Sequence, residues 1–342
     1  MKRLRQSGHA HVILLALVVV AAIAGAGYWV WENSESEPVA SAPTVPCDGR
    51  LYDSHAHPDD DEVIERLPDL IAEYEVGCTV MFEQMNITDI DGSLEQARER
   101  YGNMPGRIAL FYDIIANDPS EVTKESLEEL YEKSGGNFSG FGEFAFYQDP
   151  LQGTSLQAEP WFTLFAFAAE KDLPIMIHPM PDLVQDLIKM LSRFKETKVI
   201  VHGFELPNQM ADLLKQHKNL YYTLDTATML VLLDNDLPQV LMYPGGGPNT
   251  NFDPKAFISI FDAKQQQFVD QTAKQWLPVL KAAPKQVMWG TDISMAGHVD
   301  ERVYERLISL TDAFAEKVPK KYRQDYLRDN ALQLLGPGVT LK

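Results

Sequence analysis

Six side chains of this chain have the chemistry and the placement to bind a divalent metal. They are His55, His57, Glu143, His178, His202 and Asp292. Each one lies within or just after a short apolar run. Imidazole nitrogen and carboxylate oxygen are ligands that zinc and its neighbours favour, and a catalytic metal site keeps one position open for water. The chemistry expected of this set is therefore activation of water on a metal ion.

The strongest local pattern is the pair His55 and His57, because a strand periodicity of two places both side chains on one face, roughly 7 Å apart. A lone pair of this kind is still a weak signal. Three of the other candidates also have an ordinary structural explanation: Asp292 as a helix cap, His202 as a buried hydrogen-bonding group, Glu143 as the partner of a buried base. The succession of all six along five different apolar runs favours one shared site.

Apolar runs alternate with amphipathic stretches from Arg50 to the end of the chain, which predicts strands alternating with helices. The eight predicted strands are Leu51 to Ser54, Cys78 to Gln84, Ile108 to Ile114, Gly140 to Phe146, Pro174 to His178, Val199 to His202, Leu220 to Leu224 and Val287 to Thr291. Eight parallel strands joined by helices predict an α/β fold, a (β/α)8 TIM barrel, whose active site lies at the carboxyl ends of the strands.

Helical patterns fill most of the connections between these strands. They include Asp60 to Tyr74, Ser120 to Lys133, Pro160 to Lys171, Asp182 to Lys195, Asn208 to His217 and Glu301 to Phe314. One connection, from Asp225 to Pro284, is long enough for more than one helix and contains the turn-rich stretch Tyr243 to Asn249. It begins on the active-site face, so it is either a loop that covers the substrate or a tolerated surface insertion.

Three parts are predicted along the chain: residues 1–31 as a membrane anchor or signal segment, 32–49 as a flexible tether, and 50–342 as the barrel. The run from Val12 to Val30 has no charged residue, follows Lys2, Arg3 and Arg5, and ends among aromatic residues. Such a segment is typical of a transmembrane helix, although Ala24 to Ala26 would also suit a signal peptidase. In either case the barrel is expected outside the cytoplasm, membrane-anchored or secreted, in the periplasm or extracellular space.

The remaining chain is strongly acidic. Three of the 30 Lys and Arg residues precede residue 32, which leaves 27 against 49 Asp and Glu and a net charge of −22. Such a charge argues against binding nucleic acid through its phosphates and leaves a small molecule as the expected partner, with a homodimer as an open arrangement. Cys47 and Cys78, the only cysteines, form either a disulfide or two unrelated buried thiols.

Five segments resemble the amidohydrolase superfamily, in particular its amidohydrolase-related (amidohydrolase 2) branch, with a similarity to TatD-type hydrolases around Glu143. They are Tyr52 to His57, Gly142 to Phe144, Pro174 to His178, Met288 to Asp292 and Asn330 to Gly336. The resemblance covers about Leu51 to Gly336. It implies a metal-dependent hydrolase that cleaves a C–N or C–O bond of a small molecule.

The resemblance also implies a role for each ligand. His55, His57 and Asp292 would hold one ion, most often zinc, while His178 and His202 would hold a second. Glu143 stands where many members have a carboxylated lysine and TatD-like members have a glutamate, so it would bridge the ions. If the centre holds a single ion, Glu143 is not a ligand and His202 acts on the substrate.

The expected reaction begins with water, because a divalent ion lowers its pKa from 15.7 to about 7. Asp292 would accept the proton, and a metal or His202 would stabilise charge on the substrate oxygen. Further residues expected at the mouth, as substrate contacts or as supports for the ligands, are Glu83, Asp113, Tyr147, Asp225 and His298. The alternatives are a mononuclear nonoxidative decarboxylase and a non-catalytic binding protein on the same barrel. A TatD-like nuclease is disfavoured by the acidic charge.

Overall fold

Eight parallel strands form one sheet whose strand order follows the chain from β1 to β8. In this computed structural model the described residues are 47–341, apart from 58–60, 105, 115–118, 204–206, 234–236 and 238–252. The strands are β1 Leu51–Ala56, β2 Val76–Gln84, β3 Ile108–Asp113, β4 Gly140–Ala145, β5 Ile175–His178, β6 Val199–Val201, β7 Leu220–Asp225 and β8 Val287–Gly290. Each predicted strand is confirmed, with ends that shift by at most two residues.

The first and last strands meet and close the sheet into a barrel. Ala56 pairs with Ile293 in a parallel bridge. The backbone N–H of His57 donates to the Ile293 carbonyl at 2.7 Å, and that of Asp292 donates to the His55 carbonyl at 2.8 Å. The predicted (β/α)8 TIM barrel is thereby confirmed. The closure also places the ends of β1 and β8, which carry three candidate ligands, side by side.

Helices occupy the connections and pack outside the barrel. The described helices are α1 Asp61–Glu73, α2 Ile90–Tyr101, α3 Lys124–Lys133, α4 Glu159–Glu170, α5 Val184–Arg193, α6 Pro207–Gln216, α7 Thr226–Leu233, α8 Pro254–Ala282, α9 Glu301–Lys317, α10 Lys320–Gln324 and α11 Asn330–Leu335. The six predicted helices are confirmed with small shifts at their ends. The long connection after β7 holds both α7 and α8, as its length predicted; its turn-rich stretch, 243–249, lies outside the described residues.

Side chains from alternating strand positions fill the inside of the barrel. Tyr52, Val80, Phe111, Met176 and Met288 belong to this interior cluster. It is continued at the amino-terminal face of the sheet by Ala331, Leu334 and Leu335 of α11. Because the interior is packed in this way, the barrel is not a pore, and polar side chains at the opposite end of the strands are left to form a site.

Cys47 and Cys78 form a disulfide with a Cα–Cα distance of 5.1 Å, which settles the choice that the sequence left open. Cys47 is buried at the end of the predicted tether, and Cys78 lies near the start of β2. The bond therefore lies at the face opposite the candidate site. A cross-link across 31 residues stabilises a fold by about 3–4 kcal/mol in the chain-entropy model.

Among the described residues, no helix combines the length and the apolar character needed to cross a membrane. The predicted anchor and residues 32–46 of the predicted tether lie outside the described residues, so that division of the chain stays a prediction.

Candidate metal centre

The structure brings all six predicted ligands to the carboxyl ends of the barrel strands. His55 lies in β1, Glu143 in β4 and His178 at the end of β5. The other three follow strands directly: His57 after β1, His202 after β6 and Asp292 two residues after β8. Strands 1, 4, 5, 6 and 8 thus contribute to one cluster.

The first half of the cluster contains His55, His57, Asp292 and one oxygen of Glu143. The two Nε2 atoms of His55 and His57 lie 2.9 Å apart. Glu143 Oε2 lies 3.3 Å from His55 Nε2 and 3.0 Å from His57 Nε2. Asp292 Oδ1 lies 3.8 Å and 3.7 Å from the same two nitrogens. Two imidazoles and two carboxylates therefore converge on a small volume.

The second half contains His178, His202 and the other oxygen of Glu143. Glu143 Oε1 lies 3.3 Å from His178 Nδ1 and contacts His202 Nε2 directly. The rings of His178 and His202 are 4.4 Å apart between centroids and nearly perpendicular. A single buried carboxylate thus faces two pairs of histidines, one with each oxygen.

Asp225, at the end of β7, contacts two of the histidines, His55 and His202, through their Nδ1 atoms. Its Oδ2 lies 3.1 Å from His55 Nδ1 and 3.1 Å from His202 Nδ1. The residue is buried, with 3% of its surface exposed. The sequence offered Asp225 as a substrate contact or a support for the ligands, and the structure places it where it supports the rings.

The charges of the cluster are mutually stabilised. Burial lowers the pKa of His55, but the carboxylates of Asp225 and Asp292 outweigh this effect and raise it to about 10. For His202, burial is likewise outweighed by Glu143, and the pKa rises to about 9. Burial raises the pKa of Glu143, yet His202 and the other histidines hold it well below its usual range. These buried carboxylates therefore require positive charge beside them.

The same residues fit a divalent cation. Three sets of ligand atoms each lie within 4.8 Å of one another: His55, His57 and Glu143; His55, His202 and Asp225; and Glu143, His178 and His202. The donors are nitrogen and carboxylate oxygen, the set that suits zinc, iron, manganese and their neighbours. A bound cation would supply the positive charge that protonated imidazoles otherwise provide.

Asp53, to which the sequence analysis gave no role, fastens β1 to β8 beneath the site. Its Oδ1 accepts hydrogen bonds from the backbone N–H of Thr291 at 2.8 Å and of His55 at 3.2 Å. Its Oδ2 accepts the Thr291 hydroxyl at 2.6 Å. Asp292, which follows Thr291 in the chain, has a left-handed backbone with φ of 57°. A buried aspartate in an apolar strand was the signal that could have revealed this anchor.

The residues that were expected to contact the substrate do not all face the mouth of the barrel. Glu83 does not face the mouth as expected: Arg100 of α2 donates to both of its oxygens, at 2.9 and 3.2 Å. Alternation along β2 instead turns Phe82 inward, where its ring lies 5.3 Å from that of His55 and 5.0 Å from that of His57. Phe82 is an apolar wall that the sequence analysis missed.

The other three candidates remain near the carboxyl end of the barrel. Asp113 is half-buried at the end of β3. Tyr147 is 42% exposed, and its ring lies edge-on to His178 with centroids 4.7 Å apart. His298 is buried, and its Nδ1 accepts the backbone N–H of Ser294 at 3.1 Å. Of these, Tyr147 is both exposed and in contact with a predicted ligand.

A (β/α)8 barrel with histidines and carboxylates at the carboxyl ends of five strands defines a class of candidate metal-dependent proteins. A family model described as Amidohydrolase matches residues 52–336, and the chain belongs to this family. The resemblance found in the sequence is thereby confirmed. No curated protein matches the chain.

Solved structures share the fold at low sequence identity. An amidohydrolase from Burkholderia multivorans with bound zinc is 14% identical, with a TM-score of 0.54 over 84% of this chain and 99% of that chain. Dihydroorotase from Saccharomyces cerevisiae, in complex with 5-fluoroorotic acid, is 11% identical, with a TM-score of 0.52 over 85% of each chain. At these identities the likeness shows the fold alone.

Proposed function

We propose that this protein is a metal-dependent hydrolase of the amidohydrolase type that cleaves a C–N or C–O bond of a small molecule. One observation carries the proposal: Glu143 directs one carboxylate oxygen at His55 and His57 and the other at His178 and His202. This arrangement suits a carboxylate that bridges two ions. Zinc is the proposed metal, since the donor set suits it and the Burkholderia multivorans amidohydrolase contains zinc.

The ligands divide between the two halves of the site. His55, His57 and Asp292 would hold one ion, and His178 and His202 would hold the other. Glu143 would contact both ions. When bound, such ions polarise a carbonyl or ester oxygen and bring the pKa of water close to 7. The protein must then supply a proton acceptor, a fixed geometry and limited access of bulk water.

Asp292 is the proposed proton acceptor. Its side chain is 17% exposed, more than Glu143 at 5%, so it lies toward the open side of the cluster. It would take a proton from the attacking water at a carboxylate oxygen and deliver it to the leaving nitrogen or oxygen. Phe82 closes the cluster on the side of His55 and His57 and limits the entry of water there.

The surroundings of His202 suit the role of a metal ligand better than that of a residue that contacts the substrate. Both of its ring nitrogens face carboxylates, Nδ1 that of Asp225 and Nε2 that of Glu143, and only 3% of the residue is exposed. In the alternative, a nonoxidative decarboxylase with one ion, His202 would act on the substrate instead. The contacts of His202 therefore support hydrolysis over decarboxylation.

The proposal is tested by assaying the zinc-loaded protein on esters, lactones, amides and aromatic carboxylates. We expect hydrolysis of at least one ester, lactone or amide, its loss after treatment with a chelator, and its return with added zinc. Release of carbon dioxide from an aromatic carboxylate by a one-ion form would overturn the proposal in favour of the decarboxylase. Zinc binding without any turnover would favour the non-catalytic barrel.

We further propose that the barrel works outside the cytoplasm, with residues 1–31 as its anchor or, alternatively, a cleaved signal. The Cys47–Cys78 disulfide supports this location, because such bonds persist in oxidising compartments. Cells are treated with a thiol-reactive mass label and separated into membrane and soluble fractions. The protein should be found in the membrane fraction, with neither cysteine labelled. Full labelling of both cysteines on a soluble protein with an intact amino terminus would contradict the proposed location.

A further inference from the structure

The carboxylate of Asp225 links the two halves of the cluster through a single atom. Its Oδ2 lies 3.1 Å from Nδ1 of His55, which belongs to the first half, and 3.1 Å from Nδ1 of His202, which belongs to the second. The two rings are 4.1 Å apart between centroids and meet at 67°. A shift of either ring therefore disturbs a carboxylate oxygen that the other ring also contacts.

Glu143 contacts the opposite edges of the same two rings. Its Oε2 lies 3.3 Å from Nε2 of His55, and its Oε1 contacts Nε2 of His202. Asp225, His55, Glu143 and His202 thus form a closed loop of contacts. In this loop Asp225 Oδ2 is placed to accept the Nδ1–H of His202 and makes an ion-pair contact with Nδ1 of His55, while the Nε2 of each ring is directed at the site where an ion would bind.

Gly290 of β8 supplies the room for this carboxylate. A Cβ at position 290 would lie 2.6 Å from Asp225 Oδ1, 2.7 Å from Thr223 Cγ2 and 3.0 Å from His55 Cβ. Real side chains do not tolerate the two shorter distances, so any larger residue would push Asp225 away from the histidines. The glycine is required by close approach and not by its backbone angle.

We propose that Asp225 is a positioning residue that couples the two ion sites, and that Gly290, by lacking a side chain, leaves the space that the Asp225 carboxylate occupies. This inference rests on the proposed metal centre. Ordering of His55 by one ion fixes Oδ2 and so orients His202 for the other. Loss of the shared carboxylate should accordingly weaken both binding steps together, although Asp225 itself would hold neither ion in the proposed arrangement.

The test is titration of the chelator-stripped full chain with Zn²⁺ in the presence of a competing chelator. Asp225→Asn should weaken both binding steps by about 10–100-fold, the usual effect of losing a partner of a ligating histidine. Gly290→Ala, which keeps every charge and ligand, should weaken both steps in the same direction. The exposed Asp212, which pairs with Lys215, provides the matched control, and Asp212→Asn should bind Zn²⁺ as the wild type does.

Weakening of only one step, or of neither, in Asp225→Asn would overturn the inference, and so would wild-type binding by Gly290→Ala. Gly290→Ala also keeps the test decisive if Asp225→Asn fails to fold, which thermal unfolding of the metal-free proteins would reveal. The readout does not depend on turnover. Two ions bound without hydrolysis would therefore contradict the proposed function, whereas two ions bound equally by wild type and Asp225→Asn would contradict only the coupling.

Discussion

Asp292→Asn is expected to lower kcat/KM by about 10²–10⁴-fold while the fold survives, because general acid–base catalysis contributes that much. The asparagine keeps the shape of the side chain but cannot accept a proton from water. Asp292 is also the least buried of the three carboxylates around the histidines, so its replacement disturbs little packing. The effect is measured as kcat/KM on the best substrate of the assay panel, together with thermal unfolding.

Asp212→Asn is the matched control for Asp292→Asn, since it removes the same charge from an exposed ion pair far from the chemistry. It should retain wild-type kcat/KM. Full activity in a metal-free Asp292→Asn protein would remove the proposed mechanism altogether. Loss of activity that follows a loss of folded protein would point to a structural role for Asp292.

Glu143→Gln should remove at least one ion from the protein and abolish most of the activity. The glutamine has no negative charge to share between the two pairs of histidines, and one of its two terminal atoms is a donor that would face imidazole nitrogens. Removing one partner of a buried charge cluster also costs about 3–5 kcal/mol of stability. Zinc content per chain by mass spectrometry and chemical denaturation measure the two effects.

Glu83→Gln is the comparison for Glu143→Gln, because Glu83 is also a buried carboxylate near the end of a strand. It pairs with Arg100 of α2 and not with the histidines, so its loss should lower stability and leave the zinc content unchanged. A Glu143→Gln protein that still held two ions with wild-type affinity would show that Glu143 does not bridge them.

The barrel was predictable from the sequence because its signals are local and repeated. Each strand is a short apolar run, and the helices between them have amphipathic patterns, so both strand number and order could be inferred. The six ligand candidates followed from the rule that barrel sites form at the carboxyl ends of strands. The structure brings those six side chains together, as that rule predicts.

Contacts between distant strands were not predictable in the same way. Glu83 and Phe82 are neighbours in β2, and only the register of the strand decides that Phe82 faces the histidines while Glu83 faces Arg100. The roles of Asp53 and Asp225 depend on which residues of β1, and which residues directly after β6 and β8, lie beside them. The space that Gly290 provides is a property of three strands at once, so no local pattern reveals it.

The most direct test of the account is a crystal structure of the zinc-loaded protein with anomalous scattering recorded at the zinc edge. Two peaks are expected, one on each side of the Glu143 carboxylate, the first beside His55, His57 and Asp292 and the second beside His178 and His202. A single peak that Glu143 does not contact, or none at all in zinc-saturated protein, would contradict the two-ion centre from which the proposed hydrolysis is derived.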